Sequence, residues 1–149
     1  MDTAQLRALA TQYTAAWCSQ NASSVAAFFA EGGTLKITAA AQHFMTAFPD
    51  MVVTMNGISL NGEHAVYRWT MTGTHTGVLE FLGIPPTGRP VTMSGQEIFR
   101  AVDGRFAEVW HAEDVGAMMQ ALDLEPPRMI LRLAARRSAR KFKKEQRRK

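Results

Sequence analysis

Cysteine is nearly absent: the 149 residues contain one, Cys18. A lone thiol excludes an internal disulfide framework and any zinc site built from several cysteines. No apolar run approaches the ~18–20 residues that a membrane-spanning helix needs. The opening Met1–Asp2–Thr3–Ala4–Gln5–Leu6–Arg7 has neither the basic start nor the apolar stretch of a secretory leader. No pair of histidines has the spacing of a metal-binding helix motif. These absences set the expectation of a cytoplasmic protein with no transmembrane segment and no bound metal.

Acidic residues are scarce at one end. Residues 128–149 hold 11 of the 17 Lys/Arg and one acid, Glu145, a net +10, whereas residues 1–127 hold 6 Lys/Arg against 12 Asp/Glu, a net −6. The chain therefore reads as a mildly acidic domain, residues 1–125, with a basic tail, residues 126–149, divided at Glu125–Pro126–Pro127. With 46% apolar and 20% charged residues, the composition is that of a globular protein rather than a disordered one. In the tail, Ile130, Leu133, Ala134 and Phe142 form a thin apolar stripe among basic residues. A solvated extension and a basic amphipathic helix that contacts an anionic surface or nucleic acid are both open. With Phe142 as its only aromatic, the tail is poorly suited to base stacking.

Apolar spacing predicts the elements. Leu6, Leu9, Ala10, Tyr13, Ala16 and Trp17 follow the rhythm of one buried helical stripe over Asp2–Ser19. Asp2 with Gln5 three residues on has the form of a capping box. Asn21, Ser23 and Ser24 offer caps for a second helix, Val25–Ala30, which Glu31–Gly32–Gly33 would stop. Thr34–Thr38 is expected as a short strand and Ala39–Phe48 as a third helix ended at Pro49. Strands follow at Met51–Leu60, Glu63–Thr76, Pro90–Val102 and Arg105–His111. Asn61–Gly62 and Asp103–Gly104 are hairpin turns between them. Gly77–Arg89 is expected as a loop, and Val115–Leu122 as a closing helix. Helices first and hairpin-linked strands afterwards predict an α+β domain, a curved and mostly antiparallel sheet with N-terminal helices packed on it. The hollow of such a sheet is a natural small-molecule pocket.

Along the third strand Thr92, Ser94, Gln96 and Ile98 share one face, and Met93, Gly95, Glu97 and Phe99 the other. Parity leaves open which face is interior. Trp110–His111–Ala112–Glu113–Asp114 gathers an imidazole and two carboxylates at the end of an aromatic-rich strand.

Several segments then carry a resemblance. They are Gly73–Thr74–His75–Thr76–Gly77, Phe81 to Arg89, Gly95–Gln96–Glu97–Ile98–Phe99–Arg100 and Glu108 to Asp114, with Tyr13 to Trp17 and Phe44 to Asp50. In order and spacing they resemble the SnoaL-like polyketide cyclase (ester cyclase) family over roughly Leu6–Leu122. The resemblance implies a nuclear transport factor 2-like cone fold and a homodimer paired through the outer face of the sheet. It also implies a cofactor-independent intramolecular aldol cyclisation, or a related carbonyl isomerisation, of a hydrophobic carbonyl-containing small molecule. A non-catalytic ligand-binding or dimerisation module of the same fold is the alternative. Family members carry about a dozen more residues between the first strand and third helix, where this chain has only Ile37 to Ala41.

On the family pattern Asp114 is the carboxylate base. His111 and Gln96 are the donors to a developing oxyanion, and losing one such donor costs ~2.7–4 kcal/mol of transition-state stabilisation. The family's further strand histidine is Ile98 here. Trp69, Met71, His75, Phe99 and Trp110 are expected to bind substrate. Plainer roles compete. Asp114 can cap the helix that follows it, His111 can be a half-buried strand residue, and Gln96 can bond to backbone in the sheet. Glu97 and Glu113 are expected at the surface, as are His43 and His64; His75 suits a turn. Cys18 is expected to pack as a small apolar group, and Gly95 to mark a bulge or a bend of the curved sheet.

Overall fold

The computed structural model describes residues 2–30, 34–61, 64–125 and 128–146. Helix α1, Thr3–Cys18, starts at the expected capping box: Gln5 N–H donates to Asp2 Oδ1 at 2.8 Å, and Asp2 N–H donates to Gln5 Oε1 at 2.9 Å. Its stripe Leu6, Ala10, Tyr13 and Ala16 is buried. Asn21 caps a short α2, Ala22–Ala26, by accepting from the Ser23 and Ser24 amides. The helix thus begins and ends earlier than the expected Val25–Ala30.

Helix α3 runs unbroken over Thr34–Ala47, which corrects the expected strand at Thr34–Thr38. The β-branched Thr34, Ile37 and Thr38 favour a strand locally. Ile37, Ala41, Phe44, Met45 and Phe48 nevertheless fall on one helical face, and all are buried or packed on the core, so tertiary burial decides the outcome.

Four strands follow: β1 Val52–Asn61, β2 His64–Thr74, β3 Pro90–Val102 and β4 Arg105–Glu113. They form one antiparallel meander in the order β1-β2-β3-β4. The β3–β4 turn has positive φ at both central residues, Asp103 at 50° and Gly104 at 74°, as a right-twisting two-residue hairpin demands. The expected Asn61–Gly62 turn lies partly outside the described residues, and Glu31–Gly32–Gly33 and Pro126–Pro127 lie wholly outside them. Helix α4, Val115–Ala121, follows β4. A last helix, α5, spans Arg128–Gln146, and every described side chain from Ile130 to Lys141 on it is exposed. Among the described residues no helix is long and apolar enough to cross a membrane.

The β2–β3 connection is more ordered than a plain loop. It holds a 3-10 turn, Glu80–Leu82, and a small bridge between Leu79 and Ile84. Thr76 and Gly77 donate their amides to Ala47 O at 3.1 Å, which supplies partners to the C-terminus of α3. A side chain at Gly77 would put Cβ 1.8 Å from Thr46 O, so only glycine allows this approach.

The core occupies one half of the concave face. Tyr13 sits edge-on to Phe106 at 5.1 Å between ring centroids, and Phe99 lies 4.3 Å from Phe106. Phe28 and Phe29 close this cluster, and the Phe29 segment bridges to the free edge of β4 at Phe106. The other half of the concave face is not filled.

Candidate functional site

The strand register decides which residues meet in that unfilled half. On β2, Tyr67 stands opposite Glu97, Trp69 opposite Gly95 and Met71 opposite Met93. On β4, His111 stands opposite Glu97 and Glu113 opposite Gly95. Side chains of directly paired residues project to the same face, so Glu97, His111 and Glu113 join Tyr67, Trp69, Met71 and Met93 on the concave side.

A cavity of about 500 Å³ lies there, within the range of small-molecule sites. The sheet supplies its floor, including Val53 of β1, with Met51 just ahead of that strand. Lys36, Ile37, Ala39, Ala40, His43 and Phe44 of α3 form one wall, with Trp17 of α1 and Phe81 of the 3-10 turn beside them. The walls are overwhelmingly apolar. His43 Nδ1 lies 3.0 Å from Glu80 Oε2, close enough for an ion pair with a protonated ring but not aligned as a hydrogen bond.

Of the two carboxylates that line this cavity, Glu97 and Glu113, Glu97 is the buried one. It is 8% exposed, and its Oε2 has no hydrogen-bond partner. Its pKa is pushed up from 4.5 to about 7. Burial is the main cause, because a low-dielectric surround disfavours the charged form. The Tyr13 hydroxyl, a hydrogen-bonding neighbour, pulls the other way, and the Glu113 charge adds to the rise. Tyr13 itself is raised well above 10, first by burial and next by Glu97. Tyr67 is pushed up to about 12, chiefly by burial, and its hydroxyl is 2.7 Å from Thr14 Oγ1. The indole Nε1 of Trp69 is a second buried polar atom without a partner.

Gly95 lets Trp69 occupy this position. A Cβ at Gly95 would lie 2.3 Å from Trp69 Cζ2 and 2.7 Å from Cε2. The indole therefore rests on bare backbone, and Gly95 keeps regular register with both neighbours. The bulges expected of a curved sheet fall elsewhere, at Met55/Gly57 and at Arg100/Ala101.

Asp114, His111 and Gln96 do not come together. Asp114 is exposed and is the N-cap of α4, its Oδ1 accepting from Ala117 N–H at 2.8 Å. It does not line the cavity. Gln96 is exposed on the convex face, opposite Ala112 and Arg68. His111 reaches the cavity rim from its place beside Glu97. Trp69 and Met71 line the cavity as expected of substrate-binding residues, but Phe99 is sealed in the aromatic core. Trp110 is 51% exposed on the convex face, its ring 5.7 Å from His64. His75 is buried behind Phe48, with Nδ1 3.0 Å from Thr87 Oγ1. It ties down the loop rather than facing the cavity, and burial lowers its pKa.

Glu97 corrects the expectation of a surface residue. The available sign was its place in the apolar series Val91, Met93, Gly95, Phe99. A carboxylate inside an apolar stripe is the informative exception. Glu113 is half-buried and lines the cavity, and so does His43. Cys18 is exposed, its Sγ 3.2 Å from the Val53 amide. The segment Ile37 to Ala41 belongs to α3 and supplies cavity wall. Among the described residues, no three His, Cys, Asp or Glu side chains gather as a metal site.

The architecture has solved counterparts. AclR from Streptomyces galilaeus, a candidate hydroxylase, matches with a TM-score of 0.75 at 24% identity, over 97% of this chain and 98% of that one. IdmH from Streptomyces antibioticus, a candidate polyketide cyclase, matches with 0.63 at 26% identity, over 78% of this chain and 97% of that one. A Catenulispora acidiphila protein with a ketosteroid isomerase-like fold, solved with trimethylamine, matches with 0.66 at 14% identity, over 78% and 93%. These likenesses place the chain in the nuclear transport factor 2-like α+β fold. No curated protein matches the sequence. A profile of the SnoaL-like polyketide cyclases matches residues 7–122, the span from α1 to α4, and the chain belongs to that family.

Proposed function

We propose that this protein is a cofactor-independent enzyme acting on a hydrophobic carbonyl compound, with Glu97 as general base. The observation that carries the reading is a carboxylate with a pKa near 7, buried in an apolar cavity large enough for a bicyclic or tricyclic ligand. A base is most effective when its pKa lies near ambient pH. Glu97 takes a proton from the carbon next to a carbonyl, and the electron pair passes to the oxygen as an enolate. His111, beside Glu97 on β4, and the indole N–H of Trp69 are the donors placed to hold that oxygen. In a cyclisation the enolate carbon attacks a second carbonyl of the same molecule, whose oxygen then takes the proton. In an isomerisation the proton returns to a different carbon. This reading moves the base from Asp114 to Glu97, because Asp114 is engaged as a helix cap in solvent.

Deuterium exchange at the activated carbon of 2-tetralone in D₂O, followed by NMR, tests the first step. Wild-type protein accelerates exchange, and Glu97→Gln loses about 10²–10⁴ of that rate, the usual share of a general base. Exchange by Glu97→Gln at the wild-type rate refutes the assignment.

A homodimer through the convex face is part of the same proposal. Ile98 and Trp110 are register partners there, 38% and 51% exposed. Sedimentation velocity should report a dimer that Trp110→Lys converts to monomer; a monomeric wild-type protein removes the pairing.

A further inference from the structure

Helix α5 is separate in kind from the enzyme-like body. It has 19 residues, about 28 Å of helix at 1.5 Å per residue. Its described side chains from Ile130 to Lys141 touch solvent throughout. Ile130, Leu131 and Leu133 are each more than half exposed, an arrangement with no benefit to an isolated helix in water. At 100° per residue, Arg132, Arg136, Arg137, Arg140, Lys141 and Lys144 fall within one half of the circumference. The opposite arc is poor in cations: it carries Leu131, Ala134, Ala135, Ser138 and Ala139, with Arg128 and Glu145 as its charged positions in the sequence, while Ile130 and Leu133 fall in the cationic half. The body, residues 1–127, carries a net −6 against the tail's +10.

We propose that α5 docks the protein on anionic lipid bilayers, lying in the interface with its cation-poor arc toward the acyl chains. The chemistry matches an interfacial helix: low overall hydrophobicity, strong segregation of charge, and a few large aliphatic side chains at one end. Lys and Arg on the opposite half reach lipid phosphates by extending their charged ends around the helix. Nucleic acid answers only half of this pattern. Phosphate contacts would use the cations, but the exposed Ile130, Leu131 and Leu133 have no role in tracking a backbone. A bilayer uses both.

Cosedimentation of the full chain with vesicles is the test. In 0.1 M NaCl, binding to 70:30 phosphatidylcholine:phosphatidylserine vesicles should be at least about tenfold tighter than to pure phosphatidylcholine, and should fall by at least about tenfold in 0.5 M NaCl. Leu131→Asp, which replaces the aliphatic side chain of the cation-poor arc by a carboxylate and leaves every cation in place, should weaken binding at least about tenfold. R136Q/R140Q/K144Q should do the same. Since α5 is exposed, neither variant threatens the fold of the body, and an unchanged melting temperature checks this. Equal binding to both vesicles, or none, overturns the proposal. So does full binding by Leu131→Asp, or tighter binding to a 30-base-pair DNA duplex that Leu131→Asp leaves unchanged, since either outcome makes α5 a simple polycation.

Discussion

Replacing Glu97 by glutamine should stabilise the protein at neutral pH while removing its proposed activity. A carboxyl whose pKa is 4.5 when unfolded and about 7 when folded binds its proton more tightly in the native state. The native state therefore gains relative stability as pH falls through this range. Conversely, stability declines as pH rises from about 4.5 and levels off above about 7. At 1.36 kcal/mol for each pH unit, the burial cost of the ionised form is on the order of 3 kcal/mol.

Glutamine keeps the size of the side chain and removes its charge, so Glu97→Gln should recover most of that cost at pH 8 and none at pH 4. Urea unfolding at both pH values measures it. With a denaturant slope of ~1–3 kcal/mol/M, the midpoint should move up by roughly 1–3 M at pH 8. The decisive quantity is the change in the difference between the two proteins from pH 4 to pH 8. Any packing difference between glutamine and protonated glutamate cancels in it, as does the titration of His75, common to both. A pH-independent difference refutes the placement of a titrating Glu97 in a dry cavity.

Four further outcomes follow from the same geometry. The rate of 2-tetralone exchange should rise with pH to a plateau with its midpoint near the pKa of about 7, because only ionised Glu97 accepts a proton; a flat profile from pH 5 to 9 counts against it. Gly95→Ala sets a Cβ 2.3 Å from the Trp69 ring, which must be displaced, so stability should fall by ~1–3 kcal/mol in urea unfolding and exchange should fall with it. Asp114→Ala removes the α4 cap and should cost ~0.5–2 kcal/mol in the same assay, while exchange proceeds as in wild type; abolished exchange in a folded variant would return Asp114 to the chemistry. Truncation after Glu125 should leave the melting temperature within the scatter of surface changes, ~0.5 kcal/mol, since α5 exposes its described side chains.

Local chemistry made much of the fold legible. The Asp2–Gln5 capping box and the Asp103–Gly104 turn are each fixed by residues within three positions of one another and formed where expected, whereas Asn21, one of three cap candidates, starts its helix three residues ahead of the expected Val25. The third helix was half-visible: its β-branched start suggested a strand, but the series Ile37, Ala41, Phe44 needed the body to reveal its buried side. The site was least legible, for a specific reason. Strand parity sorts residues into two faces but does not name the inner one, and the bulge at Arg100/Ala101 breaks parity between the two ends of β4. Phe106 and His111 then share the concave side despite opposite parity. The family pattern drew attention to Gln96 and Asp114, next to the residues Glu97 and Glu113 that actually face inward.

The same sheet explains why one half is core and the other cavity. Near the β3–β4 turn, Tyr13, Phe29, Phe99 and Phe106 supply enough volume to close the concave face. Toward the other end, α3 turns Ile37 and Phe44 to the cavity, with the exposed Ala39 and Ala40 at its edge, and the space above Met71 and Met93 stays unfilled. The glycine under Trp69 lets the indole lie against the backbone there. Glu97 lies at the boundary, touching Tyr13 on the filled side and the cavity on the other. Moved one pair toward the turn, to position 99, the carboxylate would be sealed in the aromatic cluster out of reach of any ligand. Moved one pair the other way, to position 95, its side chain would collide with Trp69. Position 97, like position 93, is both buried and on the cavity wall, and of the two it is the one that carries a carboxylate and meets Tyr13.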